Sequence, residues 1–227
     1  MELSNTLQKE IENSITGDFR IDDFTKKIYS TDASMYEIEP IGVLLPRNSE
    51  DVKNCIKIAK ENNISILPRG GGTSLAGQTV GRSLILDFSK YMNKIIEINE
   101  EESWAIVQPG VVQDHFNDFL SPYGYTFGPN TSTSSRATLG GMIGNNSSGS
   151  RSIVYGKTID HVKELKGFYA NGEHFFFKPL LEKELEVITK KENHNALVHR
   201  KIKEIIDTNR QEIIDRYPKI MRRVSGY

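Results

Sequence analysis

The chain has 227 residues, a size that folds as one or two domains with enough interior for a hydrophobic core. Its 29 Lys and Arg nearly balance its 30 Asp and Glu, which argues against a nucleic-acid partner and leaves a small anionic ligand open. The single cysteine, Cys55, excludes an internal disulfide, and no apolar run approaches the roughly 20 residues of a transmembrane segment.

Taken in chain order, "MELSNTLQKEIENSI" lacks the basic start and apolar core of a signal peptide, so residues 1–37 are predicted to be a helical extension of a cytoplasmic protein. Residues 41–45, "IGVLL", read as an apolar strand that turns at Pro46. Ser49 is placed to cap a helix whose first turn carries Glu50 and Asp51, favourable at the positive end of the helix dipole. Val52, Cys55, Ile56 and Ala59 share one face, which makes Cys55 a buried small hydrophobe. Residues 64–67 then read as a second strand, parallel to the first through a right-handed βαβ crossover. "SLILDFSK" is a third strand, and "KIIEIN" with "WAIVQPG" a hairpin turning at Glu100 to Glu102. "VVQDHFNDFL" follows as an amphipathic helix.

The second strand ends in "PRGGGTSLAGQ", residues 68–78. Gly72-x4-Gly77-Gln78-Thr79 approaches a Walker A loop, but Gln78 stands where the phosphate-binding lysine is required. A Rossmann fingerprint also fails, because Leu75 takes the place of the third glycine. What survives is the physics of a backbone nest: consecutive glycines bring N–H groups together around an anion, and Thr73 and Ser74 add hydroxyl donors. Gly71 is expected to need a positive φ or a close approach to the phosphate.

A second glycine-, serine- and asparagine-rich stretch starts sixty positions further on: "GPNTSTSSRATLGGMIGNNSSGSRSIVYGKTIDHV". "ATLGGMIG" is predicted to start a short helix capped by Thr138. Leu139, Met142, Ile143, Ile153, Val154 and Ile159 are expected to anchor the stretch to a core while small residues approach a flat ligand.

These two motifs, in this order, resemble the FAD-binding PCMH-type domain of the vanillyl-alcohol oxidase and p-cresol methylhydroxylase superfamily. Within it, the chain resembles the D-lactate dehydrogenases and the flavin subunit of glycolate oxidase. The resemblance spans about residues 35 to 175 and implies an α+β fold of two subdomains with FAD in the cleft between them: 38–90, carrying the pyrophosphate loop, and 91–227. It implies an FAD-dependent oxidoreductase that oxidises a small 2-hydroxy acid and passes electrons to an acceptor, with a sugar or aldonolactone oxidase or a UDP-sugar reductase as the alternative on the same fold. A P-loop nucleotide-binding module is the outside alternative.

By position, the resemblance makes Arg69, Gly70, Gly71, Gly72, Thr73 and Ser74 the pyrophosphate loop, with Gln78 just beyond it. Pro129 and Ser132 would approach the flavin, and Thr138, Gly140, Gly141, Asn145, Ser148 and Gly149 would track the cofactor. Tyr155, Gly156, Ile159 and Val162 would close over it. Relatives that bind FAD covalently through this loop place a histidine after the glycines. Thr73 stands there instead, so the FAD is expected to be non-covalent. No metal-ligand spacing is present. His161 and His115 are possible proton acceptors, both read as structural or surface groups; His174, His194 and His199 are expected to be exposed. The last fifty residues read as helices with a solvated packing face of Val198, Ile202, Ile205, Ile206 and Ile213. A similar "RRVSGY" segment is internal in the resembling family, which implies that a substrate domain is missing from this chain and that any peripheral membrane attachment lies in the rest of the enzyme.

Overall fold

Ser4 starts the first helix, α1 (Asn5–Ser14), its hydroxyl accepting from the Leu7 N–H at 3.3 Å. The computed structural model describes residues 3–220 and Gly226 and divides into two units, one running to His161 and the other beginning at Val162. After α1 come β1 (Asp18–Arg20) and α2 (Asp23–Tyr29), so the predicted helical extension also contains a strand. The apolar run at 41–45 becomes β2 (Gly42–Leu45) and leads into α3 (Ser49–Glu61), followed by β3 (Ile66–Arg69) and β4 (Leu84–Asp87).

These strands form one sheet in the order β1-β2-β4-β3, with β1 antiparallel to β2 and the other pairs parallel. β2 and β3 therefore run in the same direction, as the βαβ reading requires, but β4 lies between them. The composition explains the order. β2 and β4 are buried along their whole length, whereas β3 contains Pro68, which has no N–H to donate and suits an edge. Val43, Leu45 and Ile85 pack together on one face, and the pleat sends Leu44, Leu84 and Leu86 to the other.

The cap of α3 is Asn48 rather than Ser49, because the Asn48 Oδ1 accepts from Asp51 N at 2.9 Å. Val52, Cys55 and Ala59 are buried as expected; Ile58 is buried with them, while Ile56 is only half-buried. Burial pushes the Cys55 thiol up to about 12, so it packs as a hydrophobe. Asp51 is also buried and accepts from Thr16 N and Arg47 N at 2.8 Å each, tying the N-terminal segment to the start of α3.

The predicted hairpin is β5 (Ile95–Asn99) against β6 (Trp104–Val107), followed by α4 (Gln113–Leu120), α5 (Leu139–Asn145) and α6 (Ser152–Tyr155). Val111, Phe116, Leu120, Ala137, Leu139 and Met142 form a buried core, with Ile95, Ile98, Ala105 and Val107 packed against it. Burying a side chain such as Leu139 contributes about 1.5–3 kcal/mol, enough to fix the glycine-rich stretch at that point. Ile153, Val154 and Ile159 do not anchor it: they are 69%, 78% and 61% exposed. A four-residue helix has a single turn and presents no continuous stripe to a core.

The second unit holds the antiparallel hairpin of β7 (Leu165–Phe168) and β8 (His174–Phe177), then α7 (Glu182–Thr189) and α8 (His194–Arg216). Tyr169 joins its parts: its ring meets Phe175, Phe177 and His194, and its hydroxyl donates to Asn195 Oδ1 at 2.8 Å. His194 and His199 are consequently half-buried rather than exposed, His199 lying edge-on to Phe177; His174 is exposed. Ile202, Ile205 and Ile206 on α8 remain exposed. Among the described residues, no helix is long and apolar enough to cross a membrane and no side-chain cluster suits a metal ion.

Candidate functional site

β3 delivers the first glycine-rich loop. Arg69, its last residue, pairs in register with Asp87 of β4, and the chain then leaves the sheet. A Cβ on Gly70 would collide with Thr138 Oγ1, and one on Gly71 with the Arg136 carbonyl oxygen. The two stretches singled out in the sequence therefore touch, Gly70 against the Thr138 side chain and Gly71 against the Arg136 backbone, with no room for a further side chain at either glycine. The positive φ values fall at Gly72 (+62°) and Gly77 (+76°), not at Gly71; what Gly71 requires is space against residue 136.

The hydroxyl of Ser74 accepts weakly from Ala76 N at 3.3 Å and Gln78 N at 3.4 Å, folding the loop over itself while leaving its own hydrogen to donate. Arg69 directs its guanidinium at main-chain oxygens: Nη1 donates to Tyr29 O at 3.2 Å and Thr79 O at 3.0 Å, and Nη2 to Thr31 O at 2.8 Å. Asp32 accepts from the Thr79 hydroxyl at 2.9 Å and from Ser34 N at 2.8 Å. Burial resists ionisation of Asp32, and the hydrogen bonds from Ser34 and Thr79 outweigh it, holding the carboxyl below the usual range.

Thr138 caps α5 as predicted, its Oγ1 accepting from Gly141 N at 3.3 Å. Gly140 N donates to Pro109 O at 2.8 Å, and a Cβ there would lie 2.7 Å from the Pro109 Cβ. Pro129 is buried, its carbonyl accepting from Gln113 Nε2; Gln113 Oε1 accepts from the Thr131 hydroxyl at 2.9 Å. A Cβ on Gly149 would collide with Asn130 O, which brings the far end of the stretch back to its beginning. Asn145 Nδ2 donates to Ser147 Oγ at 3.1 Å, Ser148 is half-buried and Ser132 exposed. Tyr155 and Ile159 are exposed beside Gly156, whose φ is +82°. Val162 is the first residue of the other unit.

His161 Nε2 lies 2.6 Å from Tyr155 O, and because a carbonyl oxygen only accepts, Nε2 must carry the proton. With its ring edge against Phe127, His161 is a brace for this segment. His115 is exposed on α4. Sequence reasoning missed Asp32, Tyr29 and Gln113. Only Gln113 left a trace: it falls on the same helix face as Phe116 and Leu120, a polar group where the period calls for an apolar one.

The glycines of the two stretches stand where a Cβ would meet Thr138, Arg136, Arg69, Pro109 or Asn130, so the packing of the stretches requires them, and a glycine-rich loop of this kind suits an anionic ligand. The family described as "FAD binding domain" matches residues 40–177, more than half of the chain. The chain belongs to this family. Its cofactor is FAD, and the loop's chemistry fits it: the Ser74 hydroxyl accepts within the loop and keeps its own hydrogen to donate to an oxyanion. The FAD-binding domain is 39% identical over 226 residues to a D-2-hydroxyglutarate dehydrogenase of Escherichia coli, covering 98% of this chain and 22% of that protein. It is 37% identical over 170 residues to a glycolate oxidase subunit of Bacillus subtilis, covering 73% of this chain and 36% of the other. The chain thus spans about a fifth of the length of the D-2-hydroxyglutarate dehydrogenase it matches. Its fold is shared with alkyldihydroxyacetonephosphate synthase, at a TM-score of 0.69 and 21% identity, over 82% of this chain and 40% of that one.

Proposed function

We propose that this FAD-binding domain serves an oxidoreductase that removes hydride from the carbinol carbon of a small 2-hydroxy acid and passes the electrons to a separate acceptor. The observation that carries the cofactor half of this reading is the contact of the two glycine-rich stretches at Gly70 with Thr138 and Gly71 with Arg136. Relatives named for D-2-hydroxyglutarate and glycolate support the substrate class.

In this reading the N–H groups of Gly70, Gly71 and Gly72, with the hydroxyls of Thr73 and Ser74, bind the diphosphate, and Gln78 borders the loop. Hydrogen bonds to charged oxygens contribute roughly 1.5–3 kcal/mol each, so four or five hold a diphosphate without a metal. Pro129, Ser132, Thr138, Gly140, Gly141, Asn145, Ser148 and Gly149 line the remainder of the cofactor, and Tyr155, Gly156 and Ile159 flank it. When bound, the flavin supplies the hydride-accepting chemistry. The chain's own residues fix its orientation and exclude water from it.

The test is anaerobic mixing of the full-length, FAD-loaded protein with D-2-hydroxyglutarate, D-lactate, glycolate and representative sugars while flavin absorbance is followed. Bleaching by a 2-hydroxy acid, selective for one enantiomer where the acid is chiral, is expected. Bleaching by a sugar and by none of the acids would overturn the substrate class.

A further inference from the structure

We propose that Arg69 and Asp32 are positioning residues for the diphosphate loop: Arg69 is a strut beneath the loop and not a phosphate ligand, and residues 29–36, which precede the matched region, belong to the cofactor site. The assignment rests on the reading that this loop holds the FAD diphosphate.

The geometry of Arg69 carries it. Three of its hydrogen bonds end on carbonyl oxygens from two segments of the chain, Tyr29 and Thr31 at the end of α2 and just past it, and Thr79 at the loop's exit. Its guanidinium lies 5.1 Å from the centre of the Tyr29 ring, and the Tyr29 hydroxyl donates to Asp87 Oδ2 at 2.6 Å, anchoring the group to β4. At Gly72 a Cβ would sit 2.6 Å from Arg69 Nη2, so the guanidinium is packed directly under the positive-φ turn of the loop. Three of its five N–H donors are engaged in this way, and those three cannot swing to an anion without abandoning their carbonyls.

The same short segment holds the loop at both ends. Ala33 N donates to Gly72 O at 3.1 Å, and Asp32 Oδ2 accepts from the Thr79 hydroxyl. Tyr36 lies against Gly77, where a Cβ would be 2.6 Å from its ring. Residues 29–36 therefore set the path of residues 72–79. Arg69 acts on bound phosphate through its hydrogen bonds, which shape the backbone that makes contact.

The experiment measures FAD affinity by flavin fluorescence quenching in the full chain for the unmodified protein, Arg69→Lys, Arg69→Met and Asp32→Asn, with thermal unfolding of each apoprotein. Salt dependence of binding is measured for all four. Lysine keeps the charge and loses the fork, so Arg69→Lys is expected to weaken binding at least tenfold, close to Arg69→Met, with the salt slope unchanged in both. Asp32→Asn is the milder variant and is expected to weaken binding several-fold while the apoprotein melts as the unmodified one does. Near-native affinity in Arg69→Lys together with a flattened salt slope in Arg69→Met would show a direct phosphate contact and overturn the proposal. Affinity losses that merely track losses in apoprotein melting temperature would overturn it as well. Failure of the unmodified protein to bind FAD refutes the underlying reading of the loop, and this assignment with it.

Discussion

Gly71 shows what the site demands of a single residue. Its backbone angle is one that any amino acid adopts, yet a methyl group there would collide with the carbonyl of Arg136, main chain that cannot rotate away. Gly81 is the useful control, since its nearest neighbours would lie at an ordinary 3.5 Å from an added Cβ. Gly71→Ala is expected to destabilise the domain by about 1–3 kcal/mol and to weaken FAD binding, whereas Gly81→Ala stays within about 0.5 kcal/mol of the parent. Urea unfolding with FAD titration of both variants measures this. A Gly71→Ala protein indistinguishable from the parent would mean that the two stretches do not pack as described.

Among the elements, α5 links sequence to site most directly. It has only seven residues, three of them glycine, and by propensity it would not persist alone. Two features hold it: the Thr138 cap, and the burial of Leu139 and Met142. Thr138 is also the residue that Gly70 packs against, so its position couples the helix start to the diphosphate loop. Thr138→Val keeps the volume and removes the accepting oxygen; it is expected to cost about 1 kcal/mol in thermal unfolding, whereas Thr138→Ser retains most of the stability. Equal melting of the valine and serine variants would show that packing, and not the cap, holds α5.

At the scale of the molecule, the described residues form two units, and both glycine-rich stretches up to His161 lie in the first. Thr73 follows the three glycines and has no imidazole to alkylate, and the lone cysteine is buried in α3 with its thiol held protonated. We therefore expect FAD to be held without a covalent bond. Acid or heat precipitation of the loaded protein should leave all the flavin in the supernatant; flavin that stays with the washed pellet would show a covalent link at a residue other than Thr73.

The sequence alone was enough for what depends on local pattern. Strand β2, helix α3, the β5–β6 hairpin, the Thr138 cap and both glycine-rich stretches were legible because period, capping chemistry and glycine clustering act over a few neighbouring residues. The short β1 strand, with three residues, and the β7–β8 hairpin, with its unalternating "HFFF", carried too little pattern to read. The tertiary structure decided the placement of β4 between β2 and β3, the exposure of Ile153, Val154 and Ile159, and the carbonyl partners of Arg69. A guanidinium beside three glycines has the chemistry of a phosphate ligand in any sequence. Only the fold brings the carbonyls of Tyr29, Thr31 and Thr79 around it, and those oxygens, from two separate segments of the chain, determine where three of its donors point.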